Sequence, residues 1–125
     1  MAKNTLPLVY SCSGCSQVAQ LANRIAVRLD RSGQAEMSCI AGVGGNVKPL
    51  LRKARQAESI IAIDGCPLAC VRHCLEKAGI TRFNHVLLSD LGLKKHADEE
   101  YSDVTEQQVI AGLLLNRPEY QSSTE

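Results

Sequence analysis

Four short apolar runs, each followed by a segment whose apolar residues recur with helical spacing, constrain the fold of this 125-residue chain most strongly. The predicted strands are residues 6–11, 35–41, 59–64 and 85–89. Strands that alternate with helices favour a mostly parallel sheet with right-handed crossovers and helices on both faces. The sequence therefore predicts a small three-layer α/β sandwich with a mostly parallel four-stranded sheet. For the strand order we take 2-1-3-4, the order of flavodoxin-like sheets.

Turn and cap residues mark the ends of the predicted helices. The first helix ends at Gly33, which can adopt the left-handed conformation. Asn46 is the predicted N-cap of the second helix, and Pro67 suits the first position of the third because its missing N–H is not needed there. Thr105 and Gln108 have capping-box spacing before the fourth helix. Each strand is thus predicted to lead into one helix.

The length of the chain falls in the usual range for one domain, so we expect residues 1–125 to form a single α/β domain. Its ordered core is predicted to span about residues 6–117, because Pro118 stops the last helix. Residues 118–125 read as a loose tail. The polar stretch 94–100 reads as a solvated connection into the last helix.

Charge and composition disfavour several classes of partner. The formal net charge is +1, with acidic and basic residues interleaved, and only four residues are aromatic, so we expect no binding to nucleic acid. No stretch approaches the roughly 20 apolar residues of a membrane-spanning helix, so we expect no membrane association. Residues 1–7 lack the features of a secretory signal, which predicts a cytoplasmic protein.

Six cysteines carry the chemistry of this sequence, and two pairs of them follow predicted strands. Cys12 and Cys15 follow the first strand, whereas Cys66 and Cys70 follow the third. In a reducing compartment, an even cysteine count is poor evidence for disulfides. Neighbouring strands lie about 4.8 Å apart, and their carboxyl ends flank one crevice. We therefore predict that these four thiolates coordinate one zinc ion, with Zn–S distances of about 2.3 Å.

The other candidate residues have weaker predicted roles. Cys74 lies roughly 12 Å of helical rise beyond Cys66 if both belong to the third helix, so it is predicted to fill the core. Cys39, assigned to the second strand, could be an additional thiol or a core residue. Asp64 could orient a metal ligand through hydrogen bonding, or simply cap a helix.

Two further predictions concern titratable groups near the cysteines. The amino-terminal ends of two helices point toward the four paired cysteines, and we expect them to lower the pKa values of these thiols. The three histidines are predicted to be solvated surface groups, not metal ligands. They are His73, His85 and His96.

Alternatives to zinc remain open from these residues. A Cys-x-x-Cys sequence between a strand and a helix is also typical of thioredoxin-like redox motifs, so Cys12 and Cys15 could cycle as a disulfide. A thiol redox or sulfur-transfer enzyme would use Cys12/Cys15 and Cys66/Cys70 as nucleophile and resolving groups. Iron–sulfur ligation uses the same four thiolates. A cysteine phosphatase is excluded, because Val18 stands where its arginine is needed.

Three linked motifs resemble the DGC domain family, whose members are described as zinc-binding. They are YSCSGCS at residues 10–16, CIAGVGG at 39–45 and IDGCPLAC at 63–70. Asp64-Gly65-Cys66 matches the family's name, and the resemblance extends through residues 90–95. Because several motifs occur in order, the resemblance covers nearly the whole chain.

This resemblance implies a small cytoplasmic bacterial protein that binds a metal ion. It implies that Cys12, Cys15, Cys66 and Cys70 are the metal ligands and that Cys39 is a further cysteine of the pattern. It transfers no enzymatic activity to the chain.

Overall fold

A computed structural model of the chain describes residues 6–93 and 101–115. The strands within these residues are β1 (Leu8–Ser11), β2 (Glu36–Met37), β3 (Ile60–Asp64) and β4 (Asn84–Leu87). The helices are α1 (Gln17–Arg31), α2 (Ile40–Gly44), α3 (Lys48–Gln56), α4 (Cys70–Lys77) and α5 (Asp103–Leu115), with a 3₁₀ helix at Leu88–Leu91.

The four strands form one parallel sheet in the order β2-β1-β3-β4, as predicted. β1 lies between β2 and β3, with Leu8 opposite Ile60 and Ser11 opposite Ile63. The winding direction reverses between β1 and β3, which places their carboxyl ends on either side of one crevice. The segments that follow β1 and β3, and therefore both cysteine pairs, leave the sheet at the same edge.

Helices cover both faces of the sheet, which confirms the predicted three-layer α/β architecture. Side chains alternate between the faces along each strand, so Val9 and Tyr10 belong to different cores. The Val9 core is closed by α1 and by Ile110 of α5. The Tyr10 core is closed by α2, α3 and α4, which contribute Val43, Leu51, Ala54, Val71 and Leu75. All residues of β1 and β3 are buried, as expected for strands covered on both sides.

An ion-pair cluster around the buried carboxylate of Glu106 joins α5 to α1, and no sequence pattern predicted it. Glu106 is 1% exposed. Its Oε1 accepts hydrogen bonds from Nε and Nη2 of Arg24 at 3.1 and 2.7 Å, and its Oε2 accepts one from Nε of Arg28 at 3.0 Å. Desolvation by burial raises the pKa of Glu106, but hydrogen bonds from Arg28 and Arg24 outweigh it and lower the pKa below its usual value.

The segment after β1 and α1 differs from its prediction. The run 35–41 forms only a two-residue strand, and Cys39 is the N-cap residue of the short helix α2, not a strand residue. Gly42 and Gly44 lie inside that helix. The next helix, α3, has Val47 and not Asn46 as its N-cap; Asn46 instead adopts a left-handed conformation with φ 62°. The glycines therefore belong to a short extra helix and Asn46 to the turn after it, where the sequence predicted a direct turn from the strand into the next helix.

Two later helices also begin at other residues than predicted. α4 begins at Cys70 because Ala69 takes a left-handed conformation with φ 50°, which leaves Cys66 and Pro67 in a turn before the helix. α5 is capped by Ser102, whose Oγ accepts the N–H of Thr105 at 3.2 Å. Gly33 ends α1 in the left-handed region with φ 80°, as predicted.

The predicted polar connection 94–100, with His96, and the predicted tail 118–125 lie outside the described residues. Within residues 6–93 and 101–115, every helix is too short or too polar to cross a lipid bilayer.

Candidate functional site

Cys12 occupies the point where β1 meets the segment after β3. Its backbone N–H donates to the Ile63 carbonyl at 3.1 Å, which extends the β1–β3 ladder by one residue. Its Sγ accepts the backbone N–H of Gly65 at 3.3 Å. Cys12 is half-buried and contacts both cores of the sheet. A sulfur that leaves one strand is thus held directly against the loop that leaves its neighbour.

Gly65 packs against the first turn of α1 so closely that no side chain fits. A Cβ added at Gly65 would lie 2.7 Å from the carbonyl carbon and oxygen of Val18 and 3.0 Å from the nitrogen of Ala19. These are backbone atoms, which cannot rotate away as the end of a side chain could. The Gly65 carbonyl also accepts the N–H of Ser89 at 3.1 Å. Glycine therefore allows the loop that carries Cys66 to approach the segment that carries Cys12 and Cys15.

Asp64 fixes the start of α4. The carboxylate is fully buried, and it accepts the backbone N–H groups of Val71 at 2.8 Å and Arg72 at 3.1 Å. The helix N-cap residue, Ala69, has no polar side chain, so Asp64 performs the capping function from the end of β3. This arrangement holds Cys70 and the rest of α4 at the end of β3.

His85 completes the surroundings of Asp64 and was not predicted to do so. Its Nε2 lies 2.8 Å from Oδ2 of Asp64, and its side chain is 21% exposed, so it is not the solvated surface group that the sequence suggested. The ring of Phe83 makes an edge contact with the imidazole. His73 is exposed, as predicted.

The turn that carries Cys15 is fixed at both ends. Ser16 is the N-cap of α1, and its Oγ accepts the N–H of Ala19 at 3.2 Å. Gln20 Nε2 donates to the Gly14 carbonyl at 2.6 Å, and Gly14 has φ 144°. Cys15 itself is exposed at this turn.

The electrostatics of Cys12 show which cysteines lie near it. Desolvation by burial raises the pKa of Cys12 to about 11, against the opposing effect of the Gly65 N–H, and the charges of Asp64, Cys70 and Cys66 raise it further. The expectation that the pKa of this thiol is lowered is therefore wrong for Cys12, because desolvation by burial is the largest effect on it. Cys66 and Cys70 both lie within electrostatic range of Cys12, although they follow a different strand.

The six cysteines are free thiols, and Cys66 is half-buried while Cys70 is exposed. Among residues 6–93 and 101–115, no three or more His, Cys, Asp or Glu side chains are gathered so as to hold a metal ion. Soft thiolates are nevertheless the donors that zinc and iron–sulfur clusters prefer. The donor chemistry fits such a metal, although the sulfur atoms are not assembled around a common centre.

Cys74 differs from its prediction, and the structure contradicts one of the two roles predicted for Cys39. Because α4 begins at Cys70, Cys66 is not a helical residue, and the predicted helical rise between Cys66 and Cys74 does not apply. Cys74 is half-buried beside α2, where a Cβ added at Gly44 would lie 3.1 Å from its Sγ. Desolvation raises the pKa of Cys74, and the charge of Cys70 adds to this effect. Cys39 is exposed, so it does not fill the core.

The fold and these contacts define a small doubly wound α/β protein with cysteines on the segments that follow two neighbouring strands. The sequence model of the DGC domain family matches residues 8–113, and the chain belongs to that family. It is 59% identical over 95 residues to the anaerobic and virulence modulator AnvM of Pseudomonas aeruginosa. That alignment covers 76% of this chain and 72% of the relative. No solved structure matches the chain.

Proposed function

We propose that this protein binds one zinc ion through Cys12, Cys15, Cys66 and Cys70. The observation that supports the proposal most directly is the hydrogen bond from the Gly65 N–H to Cys12 Sγ at 3.3 Å. It joins the sulfur at the end of β1 to the residue preceding Cys66. Hydrogen bonds from backbone N–H groups to ligand sulfurs are a recurring feature of metal–thiolate centres and tune their properties.

Zinc binding requires a local rearrangement of side chains and of the two segments that carry them. Tetrahedral coordination with Zn–S distances of about 2.3 Å brings the sulfurs closer together than free thiols need to be. Cys15 and Cys70 are both exposed, one in a turn and one at the first residue of α4, so their side chains have space to turn inward. Metal binding is commonly coupled to such a rearrangement, because the free energy of metal binding offsets the cost of ordering the ligands.

The bound ion would supply the positive charge that keeps four neighbouring thiolates ionised. Zinc with four thiolates has a net charge of −2. The amino-terminal ends of α1 and α4 lie beside the cysteines, and the partial positive charge of a helix end stabilises nearby anions. In the metal-free protein, burial favours the protonated Cys12 thiol. The ion and the helix ends would both favour the thiolate instead.

The cellular setting is part of the proposal. Free thiols at all six cysteines suit a reducing compartment, and we place the protein in the cytoplasm. The relative AnvM is named an anaerobic and virulence modulator, and we propose that this chain likewise acts as a modulator whose state depends on its metal.

Metal analysis of purified protein tests the proposal. Protein reconstituted with zinc under reducing conditions, then passed through a desalting column, should retain about one zinc per chain. Cys12→Ser and Cys66→Ser should each reduce the retained zinc, because each removes a ligand from a different strand end. Cys39→Ser is the matched control, since it removes an exposed thiol from the N-cap position before α2, and it should retain the wild-type zinc content.

The outcomes separate zinc from the alternative chemistries. Wild-type protein that retains no zinc, or variants that retain as much as wild type, would contradict the proposal. Visible charge-transfer bands together with bound iron would support an iron–sulfur protein instead. A reversible Cys12–Cys15 disulfide in protein that binds no metal would support thiol redox chemistry.

A further inference from the structure

The outer face of α3 carries a row of positive charge. Leu51 and Ala54 of this helix are buried in an apolar core, so the helix presents its other side to solvent. Lys48, Arg52 and Arg55 are all exposed and follow one another at spacings of four and three residues. Residues at these spacings are neighbours on one face of a helix. The three side chains therefore form a single basic row along α3.

Acidic side chains do not neutralise this basic row. Residues 37–57 contain four basic residues and no acidic one. The fourth basic residue, Lys53, forms an ion pair with Glu36 of β2, so its charge is balanced. None of the three residues of the row takes part in an ion pair of the described residues. Because the whole chain has a net charge of only +1, the positive charge of α3 is a local concentration and not a property of the entire surface.

Two further features suit the basic row to a protein partner. Nη2 of Arg55 donates to the Ala78 carbonyl at the end of α4 at 3.1 Å, which holds the guanidinium in place and leaves its other N–H groups for a carboxylate. Val47, the N-cap residue of α3, is 46% exposed and lies beside the first lysine of the row. Arginine is enriched at protein interfaces, whose centres are apolar, and it binds carboxylates through two parallel hydrogen bonds.

An acidic protein segment fits this surface better than a phosphate backbone does. The row is short, because α3 rises only about 10 Å from Lys48 to Arg55 at about 1.5 Å per residue. Nucleic-acid binders commonly neutralise many phosphates, and those that bind single strands add aromatic platforms on which bases stack. Helix α3 contains no aromatic residue. A helix or loop with a few carboxylates matches three cations and a neighbouring valine in length and in chemistry.

We propose that the outer face of α3 is a docking surface for an acidic segment of another protein. Carboxylates of that segment pair with Lys48, Arg52 and Arg55, and one of its apolar side chains contacts Val47. The exposed charges attract the partner less as salt screens them, so docking is strongest at low ionic strength. This inference does not depend on the proposed zinc site.

Binding of a labelled acidic peptide to the full-length protein tests this surface. A short peptide of glutamate and leucine is followed by fluorescence anisotropy, and its affinity should fall as salt is added. Arg52→Glu replaces an attraction by a repulsion and should weaken binding at least about fivefold. The matched control is Arg82→Glu, which changes the net charge equally at an exposed residue before β4. Its affinity should stay within about twofold of wild type, because its charge lies outside the row.

A second variant separates an acidic protein segment from a phosphate backbone. Val47→Ser leaves every charge unchanged and places a favoured residue at the N-cap of α3, so the helix should remain folded. It should weaken peptide binding about threefold, because an apolar contact is lost, and leave the binding of a labelled mixed-sequence duplex DNA unchanged.

Three results would overturn the docking role. The first is wild-type protein that does not bind the peptide at low ionic strength. The second is an equal loss of affinity in Arg52→Glu and Arg82→Glu, because binding would then follow net charge and not the row on α3. The third is duplex DNA that binds more tightly than the peptide at physiological ionic strength, because the row would then serve a phosphate backbone.

Discussion

Replacement of Gly65 by alanine is predicted to destabilise the protein through one steric overlap. The added Cβ would lie 2.7 Å from the carbonyl carbon and oxygen of Val18, whereas non-bonded carbon atoms pack at about 3.5–4.0 Å. The backbone of Gly65 is not in the left-handed region, so alanine is permitted there and the whole effect comes from the contact. Since Val18 belongs to the first turn of α1, either that helix or the loop must shift by about 1 Å.

The size of the effect follows from which atoms overlap. Overpacking of a well-packed interior costs about 1–3 kcal/mol. We expect about 3 kcal/mol, the upper end of this range, because both sides of the contact are backbone and neither can change rotamer. The shift would also weaken the hydrogen bonds that Gly65 makes to Cys12 Sγ and Ser89.

Urea unfolding of the metal-free proteins measures this free energy without a contribution from bound ions. The matched control is Gly112→Ala, the same chemical change inside α5 at a position where an added Cβ meets no atom within 4 Å. Alanine there should stabilise the protein by about 0.5–1 kcal/mol, because glycine is a poor helix former. A Gly65→Ala protein as stable as wild type would refute the reasoning, since the loop would then not lie against α1 as described.

Two further substitutions test the buried carboxylates. Asp64→Ala leaves the N–H groups of Val71 and Arg72 without their acceptor, and urea unfolding should show a free energy of unfolding lower by about 2–4 kcal/mol. Asp64→Asn should lower it by less. Equal stabilities for wild type and Asp64→Ala would contradict this prediction. Glu106→Gln should destabilise the protein by about 2 kcal/mol at pH 7, and less in acid. The folded-state pKa of Glu106 is lowered, so its contribution is present above the unfolded pKa and is lost as pH falls through the folded value. Thermal unfolding between pH 7 and pH 3 checks the sign, and a difference between the two proteins that stays constant over this range would rule out the ion-pair explanation.

The spacing of apolar residues along the sequence was sufficient to predict the α/β class of fold. Apolar runs alternating with segments of helical spacing predicted the class of fold, because parallel strands and right-handed crossovers leave few topologies. The strand order 2-1-3-4 was taken from flavodoxin-like sheets, and the structure confirms it. This strand order places the carboxyl ends of β1 and β3 side by side, and it therefore predicts that Cys12 approaches the loop that carries Cys66.

The local geometry around the cysteines did not follow from the pattern. Pro67 has a strong preference for a helix start, yet the left-handed Ala69 delays α4 to Cys70, and Asp64 supplies the cap from the preceding strand. A capping contact across a turn depends on tertiary structure, which no local propensity contains. The same holds for His85, whose partner Asp64 lies 21 residues away in sequence.

The buried carboxylate of Glu106 also did not follow from the sequence pattern. Glu106 lies on α5 one helical turn before the buried Ile110, and its partners Arg24 and Arg28 lie about 80 residues earlier on α1. Hydrophobic burial can be predicted from sequence because it repeats along a helix or strand. A single ion pair cannot, because it depends on how two distant elements meet. Gly65 is a similar case, because its lack of a side chain matters only against the backbone of Val18.

X-ray absorption at the zinc edge of the zinc-loaded protein tests the central claim most directly. The account predicts four sulfur neighbours at about 2.3 Å in the wild-type protein. In Cys12→Ser and in Cys66→Ser, any zinc that remains bound should have fewer sulfur neighbours, because the two strand ends contribute to one ion. A wild-type spectrum dominated by nitrogen or oxygen neighbours, or four sulfurs retained in either variant, would contradict the account.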